Sequence, residues 1–303
     1  MSTQFTVIIT TKNRPNYLQK ALNSVIQQTS QHSHIIIVDD GSDVPVSQQL
    51  KAAQHQQCKI LRNDKSVGVS AARNQGAQAT DTEWLIFLDD DDWLSDDFLA
   101  KMSDSTKAMP SPDLVWPSRT MMYENKGVQI SKRASVPFSP ETQNSDEVLA
   151  GLFDATSSGM AFRRSSLLKV GGFDEGLTVS EDRDLIFKLL ANGYCARPEQ
   201  NAVLFFRIHE GPRLSQDEKA ERQAKADLTV LSRHRQFLSS HPKLADRFMG
   251  RVAKRLWENG FYKDAIDVIN LQCHISPFSL RARKRQIGWN LLTLFKLGKS
   301  LAS

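Results

Sequence analysis

Four aspartates in succession, Asp89-Asp90-Asp91-Asp92, directly follow a fully apolar run, Trp84-Leu-Ile-Phe-Leu88. Adjacent carboxylates repel one another, so this run at a strand end costs stability unless a cation neutralises part of it. Hard oxygen ligands suit Mg2+ or Mn2+, which takes one or two carboxylates and completes its shell with phosphate oxygens and water. The competing reading is an acidic loop that caps the following helix, helped by Ser95, Asp96 and Asp97; Asp96 and Asp97 are expected to do only that. Asp39-Asp40-Gly41-Ser42 follows a second apolar run and is either a plain turn or the place where a carboxylate accepts hydrogen bonds from a base or ribose at the sheet edge. In Gly68-Val-Ser-Ala-Ala-Arg73-Asn74 a loop glycine precedes a helix bearing Arg73. A cation near the positive end of a helix is relieved either by an anionic ligand such as a diphosphate or by a nearby aspartate. Ser180-Glu181-Asp182-Arg183-Asp184 reads as a helix start with Ser180 as N-cap, and one of its acids could serve as a general base.

The elements that must position these residues alternate in type. Phe5–Thr10 is a β-branched strand, and Pro15 opens a helix in which Tyr17, Leu18, Ala21, Leu22, Val25 and Ile26 recur at helical spacing. Strands are expected at Ile35–Val38, Lys59–Leu61 and Trp84–Leu88, with a helix over 69–79. Continuous apolar strands alternating with amphipathic helices predict an α/β, Rossmann-type, mainly parallel sheet covered on both faces. Ligands in such sheets bind beyond the carboxyl ends of the strands, where Thr10–Asn13, Asp39-Asp40 and Asp89–Asp92 fall. From 113 to 210 the pattern is mixed, with strands at 114–116, 128–130, 159–162 and 203–206 and a helix at 180–193. Beyond Ser215 only helices are expected, over 216–240, 242–258, 261–271 and 279–300. Residues 257–271 look like one helical-repeat unit, which alone makes no array.

The 303 residues are 40% hydrophobic and 24% charged, which excludes a chain that is mainly disordered or collagen-like. Three widely spaced cysteines, Cys58, Cys195 and Cys273, form neither a disulfide framework nor a zinc pattern. The net charge of +5 is unevenly spread: residues 1–215 carry 22 Lys+Arg against 26 Asp+Glu, and residues 216–303 carry 17 against 8. The basic character therefore belongs to the C-terminal third. The acidic sheet edge opposes phosphate backbones, so nucleic acid is not an expected partner. No secretory leader and no run of eighteen apolar residues is visible, which predicts a cytoplasmic protein, at most peripheral on the inner membrane face.

Taken in order, the motifs resemble family 2 glycosyltransferases of the GT-A fold. The resemblance rests on Val7-Ile-Ile-Thr-Thr-Lys-Asn-Arg-Pro15, Ile37-Val-Asp-Asp-Gly-Ser42 and Gly68-Val-Ser-Ala-Ala-Arg-Asn-Gln-Gly76. It continues through Phe87-Leu-Asp-Asp-Asp-Asp-Trp93, Phe162-Arg-Arg, Val170-Gly-Gly-Phe-Asp-Glu175 and Glu181-Asp182, and covers about residues 5–215. It implies a catalytic domain over 1–215, a helical region over 216–303, a nucleotide-sugar donor (UDP by default in the family) and Mn2+ or Mg2+. Thr10 and Asp40 would hold the base, and Arg73 would contact base or diphosphate. Asn13, Arg14 and Asp90 join them as donor-binding residues. Asp89 and Asp91 read as the Asp-x-Asp pair, Asp91 as the direct metal ligand. The run of four also admits Asp90 in that register. His209 would lie near the metal or phosphates, and Asp182 resembles the base of an inverting transfer to a glycan or lipid-linked acceptor in bacterial-type cell-surface polysaccharide synthesis. A catalytically inactive sugar-nucleotide-binding module with a helical interaction domain is the alternative. The Gln-x-x-Arg-Trp signature of processive members is absent, implying transfer of one or few sugars. Ser157-Ser158-Gly159 and Trp116 would line the acceptor pocket.

The last helix has its own pattern. Arg281, Arg283, Lys284 and Arg285 run into Ile287, Trp289, Leu291, Leu292, Leu294, Phe295 and Leu297. Such a helix over 279–300 binds an anionic membrane surface or packs on the catalytic domain or on another subunit of an oligomer.

Overall fold

The computed structural model describes residues 5–30, 33–123, 129–132, 145–152, 156–208 and 216–300. The chain forms two compact units, Met1–Gly211 and Pro212–Ser303.

In the first unit nine strands make one sheet. They are β1 (Phe5–Thr11), β2 (Ser33–Asp40), β3 (Cys58–Asn63), β4 (Trp84–Asp89), β5 (Trp93–Leu94), β6 (Leu114–Tyr123), β7 (Gln129–Lys132), β8 (Ala161–Arg163) and β9 (Ala196–Ile208). Helices α1 (Pro15–Ile26), α2 (Val46–Gln49), α3 (Ala52–His55), α4 (Val69–Gln78), α5 (Phe98–Thr106), α6 (Asp146–Leu152), α7 (Arg164–Lys169) and α8 (Glu181–Ala191) connect them. The strand order is β3-β2-β1-β4-β8-β6-β9-β5, with β7 against β6. The first four strands in that order pair in parallel. β8 turns the sheet antiparallel on both of its sides, and β6 with β9 restores a long parallel ladder.

The burial pattern explains why the N-terminal half is parallel. Val7, Ile8 and Ile9, then Leu85, Ile86 and Phe87, are all buried, so both sheet faces are covered and no alternation of polar residues is possible. Helix α4 crosses close above β1 because Gly76 lacks a side chain: a Cβ there would lie 2.4 Å from Ile8 Cγ2. The chain runs outward through β1, β2 and β3, then returns to place β4 on the other side of β1. The switch point of the sheet therefore lies between β1 and β4, where Thr10 is paired with Asp89.

Two strands are longer than their apolar runs suggested. β6 extends to Tyr123 and β9 begins at Ala196, and they pair along their length with a register shift between Pro117 and Ser118. Polar residues interrupt the apolar run: Arg197 and Glu199 are half-buried and keep their place in the ladder, and Gln200 falls in the irregularity between Glu199 and Val203. The strand expected over 128–130 is β7, described from Gln129.

The second unit is helical: α9 (Gln216–Arg233), α10 (Arg235–Ser239), α11 (Pro242–Glu258), α12 (Tyr262–Ile275) and α13 (Leu280–Ser300). Leu244, Phe248, Met249, Val252 and Leu256 of α11 are buried together with Ala265, Val268 and Ile269 of α12, the stripe expected of packed amphipathic helices. A buried aspartate, Asp227 of α9, is paired with Arg255 of α11 and accepts a hydrogen bond from Gln223.

Candidate active site

The acidic run is a turn between two strands. Asp89 ends β4, the Asp92 N–H donates to the Asp89 carbonyl at 3.1 Å, and β5 begins at Trp93. Trp93 stacks on Phe205 of β9 with ring centroids 5.4 Å apart, so the turn is pinned at both ends.

Each aspartate then meets a different neighbour. Asp90 points towards β1, accepting from Thr11 Oγ1 at 2.6 Å and from Arg14 at 3.2 Å. Arg14 also reaches Asp91 at 3.0 Å. Asp92 is buried, accepting from Ser158 Oγ at 2.7 Å and from the Arg207 backbone N–H at 3.0 Å. The Arg207 guanidinium donates to the Asp91 carbonyl oxygen at 3.0 Å and lies over the rings of Tyr17 and Trp93. Asp89 is held from the other side by Arg73 at 2.7 Å. Carboxylate oxygens of Asp89, Asp91 and Asp92 come within 4.8 Å of one another.

Burial disfavours the charge of two of the four aspartates. Burial, and after it the charges of Asp91 and Asp89, push the Asp90 carboxyl up to about 6 against the opposing pull of Thr11 and Arg14. Burial and the Asp89 charge raise Asp92 well above the ordinary range. Three hard oxygen donors converging within 4.8 Å of one another fit Mg2+ or Mn2+. Asp90 faces away from this cluster.

Arg73 is the hub of the opposite wall. Its guanidinium bridges Asp89 and Glu181, the latter at 2.8 Å, and lies over the Phe173 ring with a centroid distance of 5.2 Å. Burial opposes its charge, but the two carboxylates more than reverse this and raise its pKa. The expected conflict with the helix terminus is thus resolved by two acids of the protein. Burial, with the charge of Asp182 next, raises Glu181 despite Arg73. Asp182 is half-buried in the first turn of α8 and accepts from the Arg183 N–H at 2.7 Å.

The paired glycines of Val170–Glu175 acquire a reason here. Asn74, beside Arg73, exchanges hydrogen bonds of 2.9 Å with the backbone N–H and carbonyl of Phe173. A Cβ on Gly172 would lie 2.5 Å from Asn74 Oδ1. The motif therefore seats Phe173 under Arg73 and against Phe87, centroids 5.0 Å apart.

Asp39 and Asp40 hold loops. Asp39 accepts from the N–H groups of Ser42 and Val46 and from Arg62. Asp40 accepts from Asn63, from Ser66 Oγ at 2.6 Å, and from the N–H groups of Val67 and Gly68 at 2.8 and 3.0 Å. Burial disfavours both ions, yet these donors more than offset it and hold both carboxyls below the usual range. Gly41, at φ +78°, lets the chain turn tightly beneath Ser66. Asn13 makes a reciprocal pair with Asp43 and receives no place in the pocket wall.

A cleft of about 390 Å³ opens at this edge, lined by Thr10, Thr11, Lys12, Arg14, Asp40, Val69, Ala72, Arg73, Asp89, Asp90 and Asp91. Seven residues singled out from sequence meet in it: Thr10, Arg14, Asp40, Arg73, Asp89, Asp90 and Asp91. Asp182 does not line it, and His209 lies outside the described residues. A larger depression of about 530 Å³ at the opposite ends of β2 and β3 holds none of the acidic run.

Three expectations are corrected. Ser157, Ser158 and Trp116 are buried, at 1%, 2% and 5% exposure, so they do not line an open acceptor pocket. Ser158 instead orients the acidic turn, donating to Asp92 and accepting from the Asp89 N–H. Ser180 precedes α8 but makes no side-chain cap bond, because its backbone is left-handed at φ 63°, outside the extended conformation that aims a cap hydroxyl at the helix. Ser180 and Asn13 are the two described non-glycine residues with positive φ. The loop reading of Asp97 becomes an ion pair with Lys101, while the side chain of Gln28 receives the Leu99 N–H at the start of α5.

Sequence reasoning passed over Thr11, Asp92 as a third converging acid, and Arg207. Asp92 and Arg207 stand 115 positions apart in the chain, which leaves no local signal for their contact.

The fold is a mixed α/β domain with an acidic cleft at the switch point of its sheet, and its family is shown by comparison with known proteins. Residues 6–171 match the family described as Glycosyl transferase family 2, and the chain belongs to that family. It is 27% identical over 184 residues to an uncharacterized glycosyltransferase of Haemophilus influenzae, covering 61% of each chain. It is 29% identical over 210 residues to the pre-mycofactocin glycosyltransferase of Mycobacterium tuberculosis, covering 66% of this chain and 42% of that one. The chain thus spans less than two thirds of these relatives' length. Among solved structures, S. aureus TarS 1-349 in complex with UDP-GlcNAc superposes with a TM-score of 0.60 at 17% identity, covering 95% of this chain and 89% of that one. GalNAc-T7 with UDP, GalNAc and Mn2+ superposes with a TM-score of 0.58 at 18% identity, covering 76% and 48%. These likenesses establish the GT-A-like fold.

Proposed function

We propose that this chain transfers a sugar from a nucleotide-diphosphate sugar, a UDP-sugar first of all, to a hydroxyl of a glycan or lipid-linked acceptor, with inversion at the anomeric carbon. The observation that carries this reading is the convergence of Asp89, Asp91 and Asp92 at the β1–β4 switch point, beside a cleft of nucleotide size. The UDP-GlcNAc and UDP complexes of TarS and the Mn2+ complex of GalNAc-T7, all of the same fold, support the donor class and the metal.

Asp89 and Asp91, with Asp92 behind them, would hold Mn2+ or Mg2+, and His209 is proposed to join them. When bound, the cation supplies neutralising charge to the departing diphosphate. The chain's own residues do the rest. Thr10 and the Gly68 turn shaped by Asp40 cradle the nucleotide, while Arg14 carries positive charge to the cleft. Asn13 holds the loop from which Arg14 projects. Arg73 fixes Asp89 and the start of α8 rather than meeting the diphosphate directly. Asp182 takes the proton of the acceptor hydroxyl as that oxygen bonds to the anomeric carbon and the bond to the diphosphate oxygen breaks. Residues 1–215 are proposed as the catalytic domain and 216–303 as a helical accessory region. A role in cell-surface polysaccharide synthesis accords with a similarity of 22% identity over 212 residues to the succinoglycan biosynthesis protein ExoO of Rhizobium meliloti.

The test is a panel of nucleotide-sugars screened by thermal shift with Mn2+ present. One donor should raise the unfolding midpoint and then be consumed with an acceptor, giving the inverted anomer by NMR. Stabilisation by none of them would overturn the reading.

A further inference from the structure

Helix α13 has two apolar faces, only one of which is used inside its own unit. On the inner face Ala282 is buried and Trp289 stacks on Trp257 of α11, centroids 4.5 Å apart and planes 5° apart. Arg285 donates to the Gly250 carbonyl at 2.8 Å and Gln286 to Asn270 at 2.8 Å. At about 100° per residue, Leu280, Ile287 and Leu291 fall within about 40° of one another on the reverse side. These three are 74%, 63% and 51% exposed, and Phe278, just before the helix, is 94% exposed. Half of the large hydrophobic residues exposed among the described ones lie between 278 and 292.

The charges around this stripe are of one sign. Lys284 borders it on one side and Arg283 on the other, with Arg281 beyond Lys284, and all three are exposed. No acidic residue follows Asp267, whereas Arg281, Arg283, Lys284, Arg285, Lys296 and Lys299 do. An apolar stripe flanked by cations on a helix anchored from behind is the arrangement that lies in a membrane interface, its apolar residues reaching the acyl boundary and its cations meeting headgroup phosphates.

We propose that the outward stripe of α13, led by Phe278, docks this protein on an anionic lipid bilayer. Charge complementarity selects that occupant over a second copy of the chain, because two such faces would bring their basic flanks together. The inference does not rest on the glycosyl-transfer reading, since docking needs neither donor nor metal.

The full chain is sedimented with phosphatidylcholine vesicles with and without phosphatidylglycerol. Binding should require the anionic lipid and be released by high salt. Each basic residue near such a surface gives about a fivefold gain in partition, so Arg281→Gln/Arg283→Gln/Lys284→Gln should bind about 100-fold more weakly. Ile287→Ser/Leu291→Ser should lose about tenfold or more. The replaced side chains are exposed, so unfolding midpoints should not move, and salt release of the unmodified chain tests the same claim without a substitution. Equal binding to neutral vesicles, no binding at all, or a lipid-free dimer abolished by the serine pair would overturn the proposal.

Discussion

Replacing Arg73 by Met keeps most of its volume and removes its charge. Two carboxylates then lose their shared partner: Glu181, whose side chain is 13% exposed, and Asp89, at 33%. Removing one member of a buried ion pair costs about 3–5 kcal/mol. Because Asp89 is partly hydrated, the lower end applies, about 3 kcal/mol, which for a domain of this size lowers the Tm by about 6–12 °C. Most of this is the penalty of an uncompensated Glu181, so Glu181→Gln added to Arg73→Met should recover about 1–2 kcal/mol. The assay is calorimetric unfolding in EDTA of the parent, both single variants and the double variant. A Tm loss of less than about 2 °C in Arg73→Met, or strictly additive single effects, would refute the view of Arg73 as an internal clamp.

Ser158→Ala should weaken Mn2+ binding by about tenfold, measured by titration calorimetry, because Asp92 loses the donor that orients it. Gly76→Ala should cost about 1–3 kcal/mol in urea unfolding, since its Cβ would collide with Ile8. Asp40→Asn should destabilise by about 1–3 kcal/mol at neutral pH, as an amide cannot accept from all four donors. The depressed pKa of Asp40 also contributes stability that is present above its unfolded value and lost as pH falls through the folded one. A Tm-against-pH series on Asp40→Asn should therefore show a shallower loss on the acid side than the parent.

The N-terminal sheet was legible in the sequence because Val7–Ile9, Ile35–Val38 and Leu85–Leu88 are continuous apolar runs, which only a doubly covered strand requires. The acidic edge followed from the same pattern, since Asp40 and Asp89 terminate their strands and Thr10 is the last residue but one of its own. The helical C-terminal unit was equally plain from its periodicity. What sequence reasoning could not see were long-range partners. Arg73 meets Glu181 across 108 residues and Asp92 meets Ser158 across 66, and neither pairing leaves a local trace. Asp40 shows the other limit: a carboxylate at a strand end reads as a ligand contact until its donors are known, and here the chain itself supplies four. The second apolar face of α13 lay between two readings in sequence, docked or exposed. Trp289 and Leu291, two residues apart, occupy one face each.

The measurement that bears most directly on the central claim is calorimetric titration of UDP into the protein with Mn2+ and again with EDTA. The acidic switch-point cluster predicts binding with Mn2+ that is lost in EDTA and in a folded Asp91→Ala variant. UDP bound equally well in EDTA, or not bound at all with Mn2+, would contradict it.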